Sequence, residues 1–156
     1  MKNLIIRAIG KPNEDWQRRA IHMYAKRLDA FGGVEIIELP EGHKGSAKPD
    51  ADRTKKAEAE CLQKGIPETG TIIALDEGGK ELDSHQFAKK LEVLEPMGPI
   101  TFLIGGSWGL DLSMKDHADL TLSLGKPTYT HALARVMLLE QIYRAKMINS
   151  GKAYHK

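Results

Sequence analysis

The sequence predicts an α/β fold, a single domain over 1–156 built on a mainly parallel sheet with flanking helices. Three observations point there. Short β-prone runs alternate with stretches of helical spacing, five times over. Two of those runs, Thr71 to Asp76 and Ile100 to Ile104, are almost wholly apolar, as strands covered on both faces must be. Glycine-bearing loops follow the third, fourth and fifth runs, where open parallel sheets bind their ligands.

The elements follow in order. Asn3 to Ile9 is apolar and β-prone, and Gly10-Lys11-Pro12 stops it. Glu14 to Ala30 places Trp16, Ala20, Met23, Tyr24 and Leu28 on one broad helical face, and Gly32-Gly33 ends it. Val34 to Leu39 is a second strand, closed by Pro40. Residues 41–49 read as an exposed loop. Asp50 or Asp52 caps a helix running to about Lys64. Strand Thr71 to Asp76 leads into a loop, Glu77-Gly78-Gly79-Lys80. Asp83 and Gln86 have capping-box spacing and open a helix that ends near Glu95-Pro96. After Ile100 to Ile104 comes Gly105-Gly106-Ser107-Trp108-Gly109, then a short helix at 112–118 and a fifth strand, Leu120 to Leu124. The loop 125–130 precedes a last helix, His131 to Asn149, and a polar tail, 150–156.

Composition narrows the function classes. With 156 residues and 41% hydrophobic residues, the chain buries a core without disulfide or metal staples. One cysteine, Cys61, excludes an intrachain disulfide. The apolar run Leu4-Ile5-Ile6 is broken by Arg7, short of a secretory or membrane-spanning segment, so a cytoplasmic location is expected. The net charge of +2 is mild. The bases cluster nonetheless: Arg18, Arg19, Lys26 and Arg27; Lys44, Lys48, Arg53, Lys55 and Lys56; and the C-terminal set Lys126, Arg135, Arg144, Lys146, Lys152 and Lys156, against Glu140 as sole acid. The histidines lack zinc-site spacing, so no metal is expected. Neither a dinucleotide fingerprint nor a phosphate loop is present, and no nucleophile elbow.

The last helix carries apolar groups almost all round. A helix of that kind is covered on more than one side, by the sheet and, in this expectation, by a second subunit. Glu140 and Arg144, spaced i,i+4, project into the apolar arc and suggest a site or interface pair. The tail joins two cations, Lys152 and Lys156, to a stacking ring, Tyr154, and an imidazole, His155. That set can hold phosphate, stack a base and move a proton.

Ala74-Leu75-Asp76, Leu103-Ile104-Gly105-Gly106-x-x-Gly109-Leu110, Leu122-Ser123-Leu124, His131-x-Leu133-x-Arg135-Val136, Glu140-Gln141-x-Tyr143-Arg144-Ala145 and Tyr154-His155-Lys156 together resemble the RlmH family of SPOUT-class ribosomal RNA methyltransferases. The resemblance spans the chain. It implies a C-terminal trefoil knot, a homodimer and S-adenosylmethionine as cofactor. The implied substrate is a pseudouridine in helix 69 of 23S ribosomal RNA, methylated at N3 on the assembled ribosome. By position, it assigns the cofactor to Leu75, Gly105, Leu124, Gly125, Lys126, Pro127, Thr128 and Tyr129. It makes His155, Tyr154, Glu140 and Arg144 the catalytic candidates, and His131, Arg135, Lys152 and Lys156 the RNA-facing ones. Thr130 departs from the pattern, since relatives are expected to carry proline there. Two other readings remain at this point, a nucleotide- or flavin-binding α/β protein and a non-enzymatic RNA- or ribosome-binding factor.

Overall fold

A computed structural model describes residues 1–43 and 47–156. The expected loop at 41–49 and its Lys44 therefore lie partly outside the described residues. The element order is β1 Leu4–Ile9, α1 Asp15–Leu28, β2 Glu35–Leu39, α2 Ala51–Gln63, β3 Thr71–Glu81, α3 Ser84–Leu94, β4 Ile100–Ile104, α4 Leu112–His117, β5 Leu120–Ser123 and α5 His131–Asn149. The five strands are all parallel, in the order β2-β1-β4-β3-β5.

Alternation along the strands builds two cores, one on each face. Ile6 and Ala8 of β1 and Phe102 and Ile104 of β4 face α1, α3 and α5. Ile9, Ala74 and Leu103 face α2 and α4. Both β1 and β4 are buried along their whole length. Arg7, which breaks the first apolar run, points to the α2 face. Its guanidinium donates to the carbonyls of Leu62 (2.9 Å), Cys61 (3.1 Å) and Lys64, the end of α2. A cation there satisfies carbonyls that the helix itself leaves open.

One expectation changes. The Glu77–Lys80 loop is instead part of a long β3. Leu75 and Lys80 both stand opposite Leu122, so 76–79 form a wide bulge in a strand that resumes beyond it. Gly79 permits this, because a β-carbon there would lie 2.7 Å from the Thr121 backbone. Beyond the sheet, α5 also finds cover within this chain. Helices α1 and α3 flank it, and Ala132, Leu138, Leu139, Ile142 and Ala145 are buried within one protomer. Leu133, Val136, Met137 and Met147 stay half-buried.

Leu138 is fully buried where α5 meets the sheet. Leu138→Ala is expected to cost about 2–5 kcal/mol of unfolding free energy, read by urea denaturation.

Candidate active site

Strand β1 connects through α1 toward one sheet edge, and β4 through α4 toward the other. The carboxyl ends of these neighbours are therefore a switch point, where loops diverge and leave a crevice. A cleft of about 840 Å³ opens there. The loops after β4 and β5, the β3 bulge and the start of α1 wall it.

The β4 loop is a tight turn. Gly109 N–H donates to Gly106 C=O at 3.0 Å, and Gly109 takes φ +79°. At Gly105 a β-carbon would stand 2.6 Å from the Gly109 backbone, so any side chain displaces the turn. After β5, the Ser123 hydroxyl donates to Gly125 C=O (2.9 Å) and accepts from Gly125 N–H (3.1 Å). It also lies 3.0 Å from Glu77 C=O, which ties this loop to the β3 bulge. Thr130 takes the cap of α5, its hydroxyl accepting from Leu133 N–H at 3.4 Å. A threonine thus closes the loop where a proline was expected, by capping.

Seven of the eight expected cofactor residues line this cleft: Leu75, Gly105, Leu124, Gly125, Pro127, Thr128 and Tyr129. Lys126 is exposed and lies outside the lining. Asp76 and Trp108, from the glycine-bearing loops expected to bind a ligand, join them, and so do Glu41, Lys55 and Lys115, which were not expected there. Lys115 Nζ stands 3.6 Å from Asp76 Oδ1. Lys55 and Lys115 come from α2 and α4, and only the packing of those helices under the sheet brings them to the cleft.

His131, expected to face RNA, opens α5 at the cleft wall, half-buried against Gly10. Burial, then the charge of Arg135, lowers its pKa, against a smaller pull from Glu41 and Glu38. Arg135 requires a correction. It was expected among the RNA-facing residues, yet it is 0% exposed. Its guanidinium pairs with Glu38 at 2.9 Å and donates to Gly10 C=O at 3.1 Å. Helical periodicity puts it on the inward face, beside Leu138 and Leu139. It locks α5 to the ends of β1 and β2 beneath the cleft, out of reach of a polynucleotide.

The catalytic candidates form a second cluster. Gly151, at φ +70°, reverses the chain after α5, and Lys152 N–H donates to Met147 C=O at 3.0 Å. The tail folds back on the helix. Arg144 donates to Glu140 Oε1 through Nη2 (2.6 Å) and Nε (3.1 Å). The Tyr154 hydroxyl reaches the same oxygen at 3.3 Å, and Arg144 Nη1 lies 3.1 Å from His155 Nδ1. The Arg144 guanidinium covers the Tyr154 ring at 4.8 Å, and the rings of His85 and His155 meet edge to face at 4.6 Å. Bonding to Glu140 raises the Arg144 pKa, and partial burial next to the Glu140 charge raises that of Tyr154. Lys152 and Lys156 are exposed, the Lys152 ammonium 5.1 Å from the centre of the Phe31 ring. Among the described residues, no group of three His, Cys, Asp or Glu stands close enough to hold a metal.

The two clusters lie at opposite ends of α5. His131 lines the cleft, and Arg144 comes 13 positions later, or roughly 20 Å along the axis at ~1.5 Å per residue.

The lowered His131 pKa has a signed consequence. An unfolded histidine takes up its proton near pH ~6.5, whereas the buried one resists until lower pH. Stability is therefore lost as pH falls through that window. His131→Asn is expected to flatten the fall in thermal midpoint between pH 7.5 and 5.5. Parallel falls in the two proteins would show that another group is responsible.

The family model described as a predicted SPOUT methyltransferase matches residues 1–155. Among curated relatives, ribosomal RNA large subunit methyltransferase H of Ruminiclostridium cellulolyticum is 42% identical, over 98% of this chain and 99% of its own. The protein of the same name from Acetivibrio thermocellus is 37% identical, over 98% and 99%. The fold is shared with a probable methylase family protein of Haemophilus influenzae, at TM-score 0.57 and 14% identity, covering 99% of this chain and 71% of that one. It is also shared with a probable methyltransferase of Bordetella pertussis, at TM-score 0.54 and 12% identity, covering 92% of each chain. No helix among the described residues is long and apolar enough to cross a membrane. With residues 1–155 matched and its glycine loops gathered at one switch-point cleft, the chain belongs to the SPOUT methyltransferase family.

Proposed function

We propose that the protein transfers the methyl group of S-adenosylmethionine to N3 of a pseudouridine in helix 69 of 23S ribosomal RNA, on assembled ribosomes in the cytoplasm. The observation that carries this is the full-length identity, near 40%, to relatives named ribosomal RNA large subunit methyltransferase H.

The cleft fits the cofactor by its donor set. Glu41, Asp76 and Glu77 suit a cationic sulfonium and ribose hydroxyls, and Lys55 and Lys115 suit a carboxylate. Leu75, Gly105 and the loop 124–129 hold it in this reading. The bound cofactor supplies a methyl group on a positively charged sulfur. In the reaction the N3–CH₃ bond forms, the sulfur–CH₃ bond breaks, and the N3 proton leaves to a base.

The tail cluster provides that base. His155 is the first candidate and Glu140 the second. Both are engaged in the protomer. Glu140 Oε1 accepts from Arg144 and Tyr154, and its Oε2 from Gln141 Nε2 at 2.9 Å. Arg144 Nη1 faces His155 Nδ1, which leaves that nitrogen as the acceptor and the ring proton on Nε2. His155 must therefore exchange Arg144 for the substrate N3–H, and the freed guanidinium then meets charge developing on the base oxygens. Tyr154 supplies a stacking face, and Lys152, Lys156 and His131 contact the RNA.

Arg144 and the tail lie toward the far end of α5 from His131, while a second cavity of about 590 Å³ joins Glu140 and Gln141 to Leu124 and Gly125; in this reading the open side of the cleft receives a second subunit's tail. The same proposal therefore includes a homodimer in which one subunit's cleft meets its partner's tail, and a trefoil knot at the 105–109 and 124–130 loops. The half-buried Leu133, Val136, Met137 and Met147 offer apolar surface for such pairing.

Labelled methyl transfer to assembled ribosomes tests the function. Incorporation is expected at one pseudouridine and absent when residues 154–156 are deleted; equal methylation of naked RNA would remove the ribosome from the proposal. For the shared site, a Gly105→Ala chain and a 154–156 deletion, each inactive alone, are expected to recover activity when mixed. No recovery in demonstrated mixed dimers would reject it.

A further inference from the structure

Glu58 stands out among the residues the proposed reaction leaves unused. It lies on α2, directly beneath the glycine turn after β4, and is 2% exposed. Its Oε1 accepts from Gly42 N–H at 3.2 Å. A β-carbon on Gly106 would stand 2.9 and 3.1 Å from the two carboxylate oxygens, so Gly106 rests against the carboxylate itself. The Gly106 N–H favours the charged form, although it falls short of a full hydrogen bond. Oε2 has no partner among the described residues. Glu41 and His43 face the group from the chain after β2, and Ile9 packs against the same glycine from β1.

This is a costly arrangement for packing alone. Burial pushes the Glu58 carboxyl pKa up, the ordinary penalty for a carboxylate taken out of water. An amide or apolar side chain of similar size fills the space at lower cost. What the glutamate adds is one charged acceptor facing two backbone segments at once. Gly42 adjoins Glu41, a wall residue of the cleft, and Gly106 lies in the turn that lines it.

We propose that Glu58 is a positioning residue for cofactor binding: its buried carboxylate holds the Glu41–Gly42 segment and the Gly105–Gly109 turn at the spacing that forms the cleft. This rests on the reading of the cleft as an S-adenosylmethionine site. Wild-type binding tests that reading separately from the variants below.

Calorimetric titration of S-adenosylmethionine into the full chain is the central measurement. Wild-type protein binds if the cleft is the cofactor site. Glu58→Gln, nearly isosteric, is expected to bind about tenfold more weakly, a loss of ~1.4 kcal/mol. KM for the cofactor should rise by a similar factor with kcat changed less than twofold. Amide exchange should quicken at 41–43 and 105–110. A raised folded pKa means that the carboxyl stabilises the fold below its unfolded pKa of ~4.3 and that this is lost as pH rises. The thermal midpoint of the glutamine variant at pH 8 should therefore equal or exceed that of wild type. Glu58→Asp keeps the charge but shortens the reach, and should also lose affinity. Wild-type affinity in either variant overturns the proposal. So does weaker binding that comes with a lowered midpoint, since that marks a packing defect.

Discussion

The cleft depends on how closely backbone approaches backbone at the carboxyl ends of β3, β4 and β5. Gly105 lies against Gly109, Gly79 against Thr121, and Gly106 against the Glu58 carboxylate, each with less room than a β-carbon requires. A methyl group at Gly105 or Gly79 separates backbone segments that the cleft needs in contact. The β3 bulge and the β4 turn can share one end of a narrow parallel sheet because their crowded positions carry no side chain. The rest of the site is arranged about that compression. The Ser123 hydroxyl ties the β5 loop to the β3 bulge, and the Thr130 cap starts α5 where the loop ends.

Buried charges brace the loops from below. Arg135 joins α5 to Glu38 and Gly10, Arg7 closes the end of α2, and Glu58 meets the segments containing Gly42 and Gly106. Such groups are expensive to bury, and removing one partner strands the other. They therefore keep the strand ends from shifting relative to one another. Within this set the division of labour is clear. Arg7 serves the helix, Arg135 the junction of α5 with the sheet, and Glu58 the turn itself.

The tail is organised on a different principle. Its groups are only partly buried and their bonds are mutual: Arg144 holds Glu140, Tyr154 and His155 together. Solvent access lets such contacts exchange with a ligand at small cost, which a fully buried network does not permit. One helix thus carries a rigid junction at its start and an exchangeable cluster at its end.

Much of this was legible in the sequence, because strand and helix periodicities are local. The order of the elements, the buried character of β4 and the glycine loops all follow from spacing and residue type. The motifs from Ala74-Leu75-Asp76 to Tyr154-His155-Lys156, taken together, carry the family resemblance without coordinates. Other features depend on which helix packs under which strand, which no local pattern encodes. Arg135 reads as one more base in a basic C-terminal stretch, and only the inward face of α5 makes it a buried brace. Lys55, Lys115 and Glu58 sit in ordinary charged helices, and only the packing of α2 and α4 beneath the sheet brings the two lysines to the cleft and Glu58 to the turn beneath it. The sequence by itself determined the fold class, the family and the loops that carry the site. Tertiary structure alone decided which charges are buried and which face the cleft, because burial is set by contacts between segments far apart in the chain.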